Sequence, residues 1–162
     1  MDLESGLKRQ YHASLAMLKD TIEKCPESVW LREGARPAWR IAYHTLFYTH
    51  LYLMPDEAAF TRFPGHREEG EDLWEEENRS NANPMTREEV LAYWAVVDGL
   101  VDSAVDALDL DAPTCGFHWY TMPKLDHQFV NLRHIMGHTG QLSELLMGEG
   151  IDSNWVGGSL TS

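Results

Sequence analysis

Apolar residues recur at steps of three and four along several stretches of the chain, the signature of amphipathic helices rather than strands. Leu3, Leu7, Tyr11, Leu15, Leu18 and Ile22 follow this rule between Asp2 and Lys24, and Cys25-Pro26 interrupts it, which predicts a first helix over 2–24. Residues 27–36 read as a connection. Pro37 to Met54 predicts a second helix of about five turns, opened by proline at a first-turn position and closed by Pro55. The stretch 56–84 is mostly polar, with an acidic run around Trp74, and predicts an irregular connection holding at most a short helical turn. Its charges read as solvated, while Phe60, Phe63 and Trp74 are expected to pack on the helices.

Thr86-Arg-Glu-Glu89 is a capping box, and Met85 is placed to staple onto Val90, so a third helix begins here. Val90, Trp94, Val97, Val101, Ala104 and Leu108 form its expected inward stripe. Asp98, Asp102 and Asp106 recur one turn apart on another face and read as solvated, since nothing in the sequence adds the carbonyl or glycine-loop support of a cation site. Residues 109–124 read as a loop containing Phe117-His-Trp-Tyr120. A fourth helix is expected over 125–147, stopped by Gly148 and Gly150.

Four amphipathic helices joined by connections specify an all-α four-helix bundle, with the long polar connection between its second and third main helices. The 162 residues, 43% of them apolar, suit one domain over 1–162. A formal charge of −13 opposes binding to phosphate backbones, so nucleic acid is not an expected partner. No apolar run approaches membrane-spanning length and no signal-like start is present, so the expected location is cytoplasmic. Cys25 and Cys115 stand far apart and outside any CxxC, which fits reduced thiols rather than a disulfide or zinc ligands.

The candidate chemistry lies in the histidines. His134 and His138, four apart in Asn131-Leu-Arg-His-Ile-Met-Gly-His-Thr-Gly-Gln-Leu142, stack on one helical face that continues through Gln141 and Leu145 and is expected to point into the core. Two buried imidazoles need acceptors, water or a cation, so they are either half of a metal site or polar core groups bonded to carbonyls or water. His44 supplies a third candidate ligand, since its projection among Ile41, Phe47, Tyr48 and Leu51 turns it inward. His50 projects about 120° away and reads as a packed residue. His127 shares the face of His134 but stands two turns, about 10.5 Å, below it, too far to share an ion bound at about 2.1 Å, and reads as a pocket or helix-start residue. His12, His66 and His118 are expected at the surface. Tyr48, one turn after His44, and Gln141, three after His138, are placed to hydrogen-bond a ligand or an imidazole.

The helix order, the long middle connection and the segment Lys124-Leu-Asp-His-Gln-Phe-Val-Asn-Leu-Arg-His-Ile-Met-Gly-His-Thr-Gly-Gln-Leu142 together resemble the DinB/YfiT-like superfamily of four-helix metalloenzymes. In that superfamily one histidine of the second helix and an HxxxH of the last hold a divalent metal, and His44, His134 and His138 occupy those places. Where relatives often carry two adjacent histidines after Arg-His-x-x, this chain has Gly137-His138. Three imidazoles leave a coordination position open and suit zinc or nickel, and also iron or copper. Such an ion can activate water or a thiol, or polarise a carbonyl. The resemblance implies a thiol-dependent S-transferase, with a low-molecular-weight thiol as cosubstrate; hydrolysis of a small molecule is the related alternative. A different class of reading is a non-catalytic stress-response or ligand-binding protein stabilised by its metal. The resemblance also implies a homodimer. Trp30, Trp39, Trp74, Trp119 and Trp155 stand in or beside connections, where they are expected to mark the interface.

Overall fold

The computed structural model describes residues 2–33, 36–73 and 83–158. Among them the regular structure is entirely helical: α1 (Leu3–Lys24), α2 (Glu27–Trp30), α3 (Ala38–Tyr52), α4 (Arg87–Ala107) and α5 (Lys124–Gly148), with a 3-10 turn at Glu68–Gly70. Asp2 caps α1 by accepting the Ser5 amide, and Pro37 and Pro123 precede α3 and α5 in extended backbone. The capping box at α4 is complete. Thr86 accepts the Glu89 amide, and the Glu89 carboxylate takes the Thr86 amide at 2.8 Å.

Helices α1, α3, α4 and α5 form the bundle. α1 packs on α4 and α5, and α3 packs on the same two, so α1 and α3 face each other across the diagonal. The core stripe of α4 runs through Val90, Tyr93, Val97, Val101 and Val105, one position away from the expected Trp94 and Ala104. Trp94 instead lies at the edge and donates its indole N–H to the Leu15 carbonyl of α1 at 2.8 Å.

The connection between α1 and α3 is not a plain loop. The single turn α2 drives Trp30 into the core, where its indole donates to the Met85 carbonyl at 2.9 Å. Trp39, in the first turn of α3, is fully buried as well. Both tryptophans therefore belong to the core and not to an outer surface. Trp119 and Trp155 remain exposed, and Trp74 lies outside the described residues.

The seam between α1 and α4 overturns one expectation, the surface place of His12, while Asp102 and Asp106 stay exposed as expected. His12 is half-buried there, with Nδ1 2.8 Å from Asp98 and Nε2 3.2 Å from Asp102, while Lys8 pairs with Asp106. The acidic row is thus a ladder that fastens two helices. A residue flanking the main stripe of one helix can still face its second neighbour in a bundle.

At the other side, α5 holds the C-terminal end of α3. Gln128 donates to the Tyr52 carbonyl at 3.1 Å, an acceptor of the last helical turn, and Asn131 adds a second donor at 3.2 Å to the Thr49 carbonyl, which already accepts the Leu53 amide. Lys124, buried at the start of α5, donates to the carbonyls of Pro55 and Cys115 and so ties the 109–123 loop to this end. Gly116 allows that approach: its φ is +85°, and a Cβ there would stand 2.3 Å from the Pro55 oxygen. Both cysteines are buried and free. No helix of the described residues is long and apolar enough to cross a membrane.

Candidate metal centre

His44, in the middle of α3, meets His134 and His138 of α5 across the α3–α5 seam. One ring nitrogen from each lies within 4.8 Å of the other two, and Nε2 of His134 is 3.1 Å from Nε2 of His44. His44 is buried, while His134 and His138 are intermediate, because the core stripe of α5 is the one through Gln128, Asn131, Ile135, Thr139, Leu142 and Leu146. The two α5 histidines therefore stand at the edge of the core, half-open, and not inside it as their projection implied.

Neighbours decide the direction of each ring. His44 Nδ1 donates to the Glu71 carbonyl at 2.6 Å; a carbonyl only accepts, so His44 carries its proton on Nδ1 and leaves a lone pair on Nε2. His138 Nδ1 donates to Gln141 Oε1 at 2.8 Å, which frees its Nε2 in the same way. His134 Nδ1 is buried with no hydrogen-bond partner among the described residues. Three imidazoles that converge, two of them anchored through their outer nitrogens on oxygen acceptors, are a donor set that suits a divalent ion.

All three rings are held neutral. Burial, then the charge of His138, brings the pKa of His44 down to about 4 despite the Glu71 carbonyl, which favours protonation. Burial and the other two imidazoles lower His134 to about 3. His138 is lowered by burial, against the Gln141 hydrogen bond. Neutral imidazole is the ligating form, so little proton competition opposes a metal near neutral pH.

The 55–73 stretch builds much of this neighbourhood. Gly70 lies flat on Tyr43, where a Cβ would come within 2.4 Å of the ring, and this approach delivers the Glu71 carbonyl to His44. The Glu71 carboxylate meets Arg62 and His66, each at 3.0 Å, and His66 Nδ1 is 2.6 Å from the Tyr43 hydroxyl. His66 is thus a strut of the connection rather than a free surface residue. Phe60 stacks edge-on against Phe47 and His50, and Phe63 stacks on Tyr93, as expected for aromatics of this segment.

A cavity of about 620 Å³ opens beside the histidines, lined by His44, His134, Phe47, Tyr48, Leu51, Tyr52, Glu57, Phe60, Arg62, Glu71, Asp72, Trp119 and Tyr120. Tyr48 sets its ring 4.8 Å from that of His44 and 5.7 Å from that of His134. Gln141 bonds His138 as its spacing suggested. His50 packs against Phe60 with Nδ1 3.0 Å from the Tyr93 hydroxyl, away from the cluster. His127 is fully buried among Tyr52, Phe117 and Tyr120, with neither ring nitrogen bonded among the described residues; burial, then Lys124, lowers its pKa to about 4. His118 is exposed. The contribution of Glu71 was not visible in the sequence, because a backbone carbonyl has no residue signature.

A helical bundle with three neutral imidazoles converging at one seam, beside a cavity, defines a protein equipped to hold a divalent ion in its side-chain framework. The family agrees with that description: a model of the DinB superfamily matches residues 10–142, and the chain belongs to this superfamily. No curated protein and no solved structure matches the chain.

Proposed function

We propose that the protein is a metal-dependent enzyme that acts on a small molecule in the cavity beside His44, His134 and His138, by thiol-dependent S-transfer or by hydrolysis. The observation that carries this reading is the convergence of three neutral imidazoles, two of which, His44 and His134, line an open cavity that leaves room for a reacting molecule next to the ion. A divalent ion there, zinc or nickel foremost and iron or copper also suited, would favour the thiolate of a bound thiol or the hydroxide of bound water near neutral pH. The chain's own part is to keep the rings neutral by burial and to fix them through the Glu71 carbonyl and Gln141. Tyr48 borders the cavity against two of the three rings, where it shields the reacting end from water. Neither thiol of the protein stands in the cluster, so the reaction draws its thiol from solution. We also infer a homodimer, with the exposed Trp155 as its marker; light scattering giving about 18.5 kDa at micromolar concentration would speak against it.

The test is conjugation of a low-molecular-weight thiol to an electrophile, run beside a panel of hydrolysable esters and amides. Metal-loaded protein should accelerate one of these, and His44→Ala and His134→Ala should lose the acceleration with the metal. The Cys25→Ser/Cys115→Ser double variant should stay active. Loss of turnover in that double variant, with the histidine variants still active, would place the reaction on a protein thiol instead. Saturating metal with no turnover on either class of substrate would favour a non-catalytic bundle.

A further inference from the structure

Helix α5 turns a continuous outer stripe to solvent. Its exposed positions recur at steps of three and four, from Phe129 through Arg133, Gly137, Gly140 and Glu144 to Met147, about 27 Å of helix at 1.5 Å per residue. The two ends are apolar: Phe129 is 48% and Met147 62% exposed, both among the large hydrophobic side chains that the chain leaves in water. The middle has no side chain. A Cβ at Gly137, at Gly140 or at Gly148, which follows Met147, would meet nothing within 4 Å. Glycine inside a helix is unfavourable relative to alanine, and no packing among the described residues asks for the space.

The charges of the stripe are unlike those of the rest of the surface. The chain carries −13, yet between Phe129 and Gly148 the exposed positions of α5 hold one charge of each sign, Arg133 and Glu144. Neither has an ion-pair or hydrogen-bond partner among the described residues. They stand about 16.5 Å apart along the axis, too far to pair within one helix. The stripe is nevertheless complementary to itself. Two copies of α5 laid antiparallel about a twofold axis between His138 and Thr139 set Arg133 opposite Glu144, Gly137 opposite Gly140 and Phe129 opposite Gly148, each twice. On a projection of 100° per residue these three pairs straddle one direction, so a single face serves them all. An isologous interface demands that a patch match itself, which a foreign partner does not.

We propose that a second copy of this chain docks antiparallel on the outer stripe of α5, with Arg133 of each protomer paired to Glu144 of the other. Facing glycines let the two backbones approach, and Phe129 fills the space over Gly148 beside Met147. The inference rests on the reading of the protein as a homodimer and gives that dimer its surface. The seam also reaches the metal centre, since Gln141, which bonds His138, borders it. A groove of about 610 Å³ lined by Ile41, Gly137, Gly140, Gln141 and Leu145 is covered when the second copy docks.

Sedimentation equilibrium of the full chain at micromolar concentrations reads the dimer constant. Arg133→Glu and Glu144→Arg each turn both pairs into like charges and should weaken the dimer roughly tenfold or more. The double variant restores two opposite-charge pairs and should recover most of that loss, a rescue that two side chains three turns apart on one helix cannot produce within a single chain. Gly140→Leu, whose side chain has open space in the isolated chain, should weaken the dimer with its far-UV helical signal unchanged. Wild-type chain that stays monomeric overturns the homodimer and this surface together. A dimer that ignores the three single variants, or that the double variant does not recover, overturns this surface alone and leaves the homodimer standing.

Discussion

Histidine sits at two seams of this bundle and is pushed in opposite directions. Between α3 and α5, His44 and His134 are surrounded by rings and apolar side chains, and burial holds them neutral with pKa values of about 4 and 3. Between α1 and α4, burial also works against charge on His12, but hydrogen bonds to Asp98 and Asp102, and their charges, outweigh it and raise its pKa. One seam thus keeps lone pairs in reserve for a ligand. The other spends its imidazole on a helix-to-helix tie. Facing carboxylates, not depth of burial, set the opposite directions of these shifts.

The largest expected consequence is in acid. A histidine whose pKa is lowered in the folded chain is protonated first in the unfolded one, so its contribution is complete above pH 6.5 and is lost as the pH falls toward 4. His44, His134 and His127 all titrate this way. A shift of that size is worth about 3 kcal/mol for one group, so urea unfolding of the metal-free protein should show stability collapsing across this window by at least that amount. A flat profile between pH 6.5 and 4 would remove the contrast between the seams.

Next in size is Gly70→Ala. The added methyl meets the Tyr43 ring, so the connection must lift and the Glu71 carbonyl must leave His44. Overpacking of this kind costs about 1–3 kcal/mol. The more specific outcome is weaker metal binding in a chain that still folds, seen by competition with a chromogenic chelator. Gln141→Ala should act on metal affinity alone, lowering it by about 10- to 100-fold as the loss of an outer hydrogen bond to a ligating imidazole does, while the melting temperature of the metal-free protein stays put.

The smallest effect belongs to the other seam. His12 has a raised pKa, so its stabilisation is full below pH 6.5 and fades as the pH rises through the raised value. For a half-exposed pair this is about 1 kcal/mol or less. His12→Gln should therefore cost more at pH 6 than at pH 9, and metal content should be unchanged. A histidine at α1–α4 that altered metal binding would undo the division of labour between the seams.

Much of this was legible in the sequence because it is periodic. The four long helices, the capping box and the HxxxH spacing each leave a pattern, and the helical projection of 37–54 selects His44 over His50, in agreement with the superfamily resemblance. The features that escaped are those without a pattern. Trp30 and Trp39 looked peripheral because they flank a connection, yet a single turn of helix is enough to turn Trp30 inward. His12 was placed at the surface because one helical projection shows one stripe, whereas α1 has neighbours on two sides. The half-open position of His134 and His138 reflects a core stripe one residue further along α5.

The central claim is that His44, His134 and His138 hold one divalent ion. Elemental analysis after purification without added metal, together with melting temperature before and after chelation, tests it most directly. The wild-type chain should carry one equivalent per chain and melt lower once stripped, since an ion bound only by the folded state at 100 times its Kd stabilises by about 2.7 kcal/mol. His138→Ala should arrive without the ion and be indifferent to chelator, while His66→Ala should keep it. Wild-type protein that carries no divalent ion and gains none on titration, or His138→Ala with undiminished metal and chelator sensitivity, would contradict the account.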